Sequence, residues 1–145
     1  MISKIAILVA RIIFAGAFFL AMFFKFTGMD GTAAAIASIG FPFPLFFAWV
    51  AAFFELALVL AFLGGAFFTE AAILAAAYVL FLGFAFHGPS AWQANPMEFG
   101  FFVDHFVFIA GLLYAAVFGP GRLALGWTLP WLAARRSAMP PAGFR

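Results

Sequence analysis

The stretch LFFAWVAAFFELALVLAFLG, residues Leu45 to Gly64, carries a single ionisable side chain, Glu55, in the middle of an otherwise apolar run. A run of about 20 such residues crosses a ~30 Å hydrocarbon core as one helix. At a rise of 1.5 Å per residue, Glu55 then sits roughly 15 Å from either surface, beyond the reach of a side chain to water. A charge at that depth costs about 2.5 to 3.5 kcal/mol on insertion scales, so it must have a partner or a task.

Three more runs of similar length flank it: Ile5 to Phe26, Phe68 to His87 and Phe99 to Phe118. Gly64-Gly65 leaves room only for a tight turn, so the second and third runs form an antiparallel hairpin. Thr27-Gly28-Met29-Asp30-Gly31 ends the first run, and an Ala-rich stretch from Thr32 to Ile39 reads as a short interfacial helix. Gly88-Pro89-Ser90 through Asn95-Pro96 is the third connection, with Trp92 at the membrane interface. Gly119-Pro120-Gly121-Arg122 stops the last run, and Leu123 to Leu132, with Trp127 and Trp131, is an interfacial segment too short to span. The expected fold is therefore all-α, a four-transmembrane-helix bundle. It has one domain over 1–134, spans near 5–26, 45–64, 68–87 and 99–118, and a flexible cytoplasmic tail over 135–145.

Composition excludes the alternatives. The 145 residues are 68% hydrophobic and 8% charged, against about a quarter charged in a soluble domain. A soluble chain of 15.7 kDa would leave much of that surface in water. The first run follows Lys4 as a signal peptide would, but its length, Arg11 inside it and the lack of a small-residue cleavage site point to a retained helix. The 25 Phe residues read mostly as lipid-facing filler. Absence of cysteine excludes disulfides, thiolate metal sites and iron–sulfur ligation. The basic residues Lys4, Arg122, Arg135, Arg136 and Arg145 fall on one side of a four-crossing topology, with Lys25 alone beside the opposite loops. This is a topology signal with no nucleic-acid footprint, and it puts both termini in the cytoplasm.

The remaining ionisable groups form two sets. Arg11 and Lys25 lie about four helical turns apart on one stripe of the first helix, and a stripe facing Glu55 would bury all three as a polar core. Such a core serves either as an ion pair fixing helix register or in proton or ligand handling. His87, Asp104 and His105 gather near the outward ends of the third and fourth helices. An imidazole backed by a carboxylate suits a quinone carbonyl and its proton. The plainer alternative has His87 solvated at the interface and His105 bonded to a carbonyl of a neighbouring helix. Two histidines without HxxxH or ExxH spacing argue against a metal site. Glu70 and Glu98 stand at helix starts, where the dipole favours a carboxylate.

These residues, in this order, resemble the DoxX family of small four-helix membrane proteins. The likeness runs through Arg11, Gly16 and Lys25 (with Phe24 in place of the family's glycine), Ser38-Ile39-Gly40-Phe41-Pro42, Phe54-Glu55-Leu56, Gly64 with Thr69, Phe86-His87 and Gly119-Pro120-Gly121-Arg122. In the fourth helix Asp104-His105 stands where relatives have Lys-Asn. The resemblance implies a bacterial inner-membrane subunit associated with oxidoreductases, linked in relatives to quinol oxidation and thiosulfate-to-quinone electron transfer. It implies quinone as the ligand, no covalently bound cofactor, and other membrane subunits or a second copy as partners. The competing expectation is an accessory or assembly subunit that performs no chemistry and packs on other membrane helices. Four helices without broken segments argue against an exporter.

Overall fold

The computed structural model describes residues 2–130, with side chains from Ile5 onward. The expected tail at 135–145, with Arg135, Arg136 and Arg145, and Trp131 before it, lie outside the described residues. Six helices follow in order: α1 (Ile2–Thr27), α2 (Met29–Ser38), α3 (Pro44–Gly64), α4 (Phe68–His87), α5 (Pro89–Trp92) and α6 (Met97–Phe118). Four of them, α1, α3, α4 and α6, are long and apolar enough to cross a membrane, with mean hydropathy of 1.9 or more in each. Their bounds lie close to those expected from the sequence. The interfacial helix α2 begins at Met29, ahead of the Ala-rich stretch, and α5 adds a single turn inside the third connection.

Helix α1 packs along α3, and α4 along α6. Between the two pairs, Phe62 is fully buried, stacked on Phe18 (ring centroids 5.8 Å apart) and edge-on to Phe68 at 5.4 Å. Phe14 closes the cluster at 5.6 Å from Phe62 and 5.4 Å from Phe108 of α6. The expectation that Phe is mostly lipid-facing filler therefore needs one correction. Many Phe rings do face outward, but four of them, Phe14, Phe18, Phe62 and Phe68, are core. Lipid tails are as apolar as Phe, so close packing decides which rings go inside. The α4 face offers Ala72, Ala75 and Ala76, all buried, and Gly111 of α6 lets the Phe14 ring approach to where a Cβ would stand 3.3 Å away. Thr69 Oγ1 adds an interhelical hydrogen bond to the Ala116 carbonyl, 3.2 Å.

The hairpin turn and the segment after α6 fold together at one end of the bundle. Gly65 takes φ 68° and donates its N–H to the Ala61 carbonyl at 2.8 Å, closing α3 with a left-handed cap. The chain after α6 then crosses this turn as an extended strap. Leu125 N–H donates to the Gly64 carbonyl (3.0 Å), Phe67 N–H to the Trp127 carbonyl (2.6 Å), and Leu129 N–H to Glu70 Oε1 (2.6 Å), which also accepts from Thr128 Oγ1 at 2.8 Å. Non-helical backbone at this boundary thus finds its partners within the protein.

Arg11, 3% exposed, is the pin of this end. Its Nε donates to the Phe62 carbonyl (3.0 Å), Nη2 to Leu63 (2.5 Å), and Nη1 to Pro120 (3.2 Å) and Leu123. The first two are last-turn carbonyls of α3, which have no intrahelical donor and carry the negative end of the dipole. The guanidinium fork thereby ties α1, α3 and the strap into one unit. Replacing Arg11 with Leu should strand these carbonyls and lower stability by about 2 kcal/mol or more, read as the midpoint of detergent-induced unfolding.

Gly65 and Gly64 give a matched pair. A Cβ on Gly65 would fall 2.4 Å from Ala124 Cβ and 3.0 Å from Arg11 Nη2 in a left-handed conformation, whereas one on Gly64 meets only Leu125 Cδ1 at an ordinary 3.5 Å. Gly65→Ala should therefore destabilise the bundle by at least about 1 kcal/mol. Gly64→Ala should be neutral or slightly stabilising, because alanine favours helix. The same unfolding assay compares them.

Candidate functional site

Glu55 is 1% exposed in the middle of α3. Its Oε1 accepts two hydrogen bonds: from Lys25 Nζ at the end of α1, 2.8 Å, and from Tyr78 Oη of α4, 2.9 Å. Lys25 thus closes a salt bridge to Glu55. Arg11 does not join them. Helices α1 and α3 run antiparallel, and the two cations are about 21 Å apart along α1. One carboxylate cannot serve both, and the depth of Arg11 matches the end of α3. Residues on one stripe share a face without sharing a depth, so the expected three-residue core divides into two separate centres. Tyr78, which the sequence reading did not single out, takes the place expected for Arg11. Its signal was present: a phenolic hydroxyl within an Ala- and Leu-rich span needs a partner when buried.

The other carboxylate oxygen, Glu55 Oε2, is buried and has no hydrogen-bond partner among the described residues. Glu55 borders a cavity of about 290 Å³ that Tyr78, Asp104, His105, Phe18 and Phe108 also line. A second, larger cavity of about 860 Å³ lies beside it at the same end of the bundle. Helix α2 roofs this space with Thr32, Ala35 and Ile36, and the rings of Phe24, Phe41, Phe54, Phe81 and Phe86 wall it. Lys25, Tyr78, His87 and His105 supply its polar lining. Tyr78 and His105 belong to both cavities.

The structure brings His87 and His105 together, with ring centroids 5.1 Å apart. Gly83, one turn before His87 on α4, makes this possible: a Cβ there would stand 3.2 Å from His105 Cβ and 3.3 Å from its Cγ. His105 Nδ1 lies 2.7 Å from the Phe101 carbonyl of its own helix. A carbonyl only accepts, so Nδ1 carries the hydrogen and the neutral ring keeps Nε2 as an acceptor. This differs from the plainer sequence alternative, which bonded His105 to a neighbouring helix. His87 Nδ1 lies 2.5 Å from Glu98 Oε2, whose other oxygen accepts from Asn95 Nδ2 at 3.3 Å. Glu98 is therefore the carboxylate behind the imidazole, the position the sequence reading gave to Asp104. The short third connection folds Glu98 back over the end of α4, held by Trp92 Nε1 donating to the His87 carbonyl at 2.8 Å. Asp104 lines the smaller cavity from an exposed position on α6. Among the described residues no three His, Cys, Asp or Glu side chains converge as metal ligands.

Tyr78→Phe keeps the ring, which packs edge-on to Phe54 at 5.1 Å, and removes one of two donors to Glu55. Stability should fall by about 1 kcal/mol, with the fold intact by circular dichroism.

Residues 6–88, more than half of the chain, match the DoxX family. The match includes Arg11, Lys25, Glu55, Tyr78 and His87 and ends before α6, the helix that carries Asp104 and His105. No curated protein and no solved structure matches the chain. Four apolar spans and a family match across three of them make this chain an integral membrane protein of the DoxX family.

Proposed function

We propose that the chain is the membrane-embedded subunit of a bacterial inner-membrane oxidoreductase assembly and that its larger cavity binds the headgroup of a quinone or quinol. The observation that carries this reading is the cavity of about 860 Å³, walled by Phe rings and edged by Lys25, Tyr78, His87 and His105. Its size and its few convergent polar groups are those of a small-molecule site.

A flat redox ring fits between aromatic walls, and its two oxygens need one set of partners when oxidised and another when reduced. Lys25 meets the first need: one of its three N–H groups goes to Glu55, leaving others to donate to a carbonyl oxygen. The two imidazoles meet the second. With Nδ1–H committed to Phe101 in one ring and to Glu98 in the other, each keeps Nε2 to accept a hydroxyl proton. Glu98 would then steady the imidazolium formed at His87. When bound, a quinone supplies two-electron, two-proton chemistry, with the electrons exchanged with a partner subunit.

A second reading, a purely accessory subunit, draws support from Asp104. This carboxylate lies exposed about two turns into α6 and has no ion-pair or hydrogen-bond partner among the described residues. A basic side chain on a neighbouring subunit would neutralise it. Either role fits an orientation with both termini cytoplasmic, which the basic residues support.

Binding of a short-chain quinone to the purified chain in lipid nanodiscs, followed by tryptophan quenching, tests the ligand. Ala51→Trp fills the larger cavity without touching its polar groups and should weaken binding at least tenfold. His87→Ala and His105→Ala should each weaken it about tenfold, about 1.4 kcal/mol, at unchanged yield of folded protein. In the assembled oxidoreductase, His87→Ala should abolish quinone-dependent turnover. Unchanged binding in all three cavity variants would remove the site.

A further inference from the structure

The two cavities share a wall, and His105 is part of it. On one side lies the larger cavity, with Lys25 and His87. On the other lies a partly open recess of about 290 Å³ that Glu55 borders, the second carboxylate oxygen of Glu55 being buried behind its lining. That oxygen is a buried acceptor with no protein donor, in a side chain 1% exposed. A buried polar atom left in that state is costly unless a donor visits it. Nothing in the Lys25–Glu55–Tyr78 geometry uses it, since both donors converge on Oε1.

We infer that the smaller cavity is a proton chamber: His105 passes protons between the larger cavity and Glu55 Oε2, with Asp104 as a second acceptor. The space is roomy enough for several water molecules and has polar groups to hold them. The transfer is balanced without electrons. A proton arrives at His105 Nε2, giving an imidazolium whose Nδ1–H still rests on the Phe101 carbonyl. Nε2–H then gives it up, through water, to Glu55 Oε2. The charged and titratable groups around this path are Lys25 of α1, Tyr78 and His87 of α4, and Asp104 and Glu98 of α6. Of these, Lys25 donates to Glu55 Oε1, so a proton added at Oε2 leaves the Lys25 charge uncompensated and favours its onward release.

The inference rests on the quinone reading only for the source of the proton, so its test omits quinone. The full chain is reconstituted in quinone-free nanodiscs and followed by time-resolved infrared spectroscopy after a rapid drop in pH. Glu55→Gln identifies the carbonyl band of protonated Glu55. In His105→Ala that band should appear at least tenfold more slowly than in the unaltered chain, and added imidazole should restore the rate, which repair of a merely structural defect would not do. His105→Gln, closer in size and able to bond the Phe101 carbonyl, should be equally slow and guards against misfolding of the alanine variant. Unchanged rates in both variants, or a Glu55 that takes up no proton at any pH at which the bundle stays folded, would overturn the inference. Failure of quinone to bind the unaltered chain would remove the ligand reading alone and leave this result standing.

Discussion

A carboxylate half-way along a lipid-surrounded helix must be compensated inside the protein, and the arrangement of this bundle follows from how that is done. Lys25 reaches Glu55 from the end of α1 and Tyr78 reaches it from α4. One oxygen atom therefore links three spans. Association of helices in lipid lacks the hydrophobic driving force available in water, so interhelical polar contacts and close packing carry more of the specificity. The Phe cluster around Phe62 supplies the packing, and Glu55 supplies a contact that only one register satisfies.

Two cations of α1, Arg11 and Lys25, do different work. Arg11 meets only backbone carbonyls, four of them, at the end where the strap crosses the hairpin turn. Two of these carbonyls belong to the last turn of α3 and two to the strap. The opposite end is built the other way. Cavities border the Lys25–Glu55–Tyr78 cluster, two imidazoles lie 5.1 Å apart, and α2 lies over the larger space. One end is pinned and the other is hollow.

Much of the fold is legible in the residue order because bilayer thickness sets span length, and the Gly and Pro clusters mark the breaks. The site was legible as a set of residue types and less so as pairs. Lys25, His87 and His105 could be placed at one end of the bundle, since a span converts position in the chain into depth. Their partners depend on rotation and on loop folding, which depth does not give. Glu98 reaches His87 only because the third connection folds back on itself. Arg11 took carbonyls in place of Glu55 because α3 ends at its level. The strap over the hairpin turn left no mark in its own sequence; the trace it did leave was Gly65, whose missing Cβ makes way for Ala124.

The most direct test of this account is a double-mutant cycle on Lys25 and Glu55, measured by reversible unfolding in detergent micelles with Lys25→Met, Glu55→Gln and the pair combined. A buried, mutually dependent ion pair should show a coupling energy of about 2 kcal/mol or more, with the double variant more stable than Lys25→Met alone, because a lone buried carboxylate is worse than none. Additive losses, with no coupling between the two positions, would contradict it.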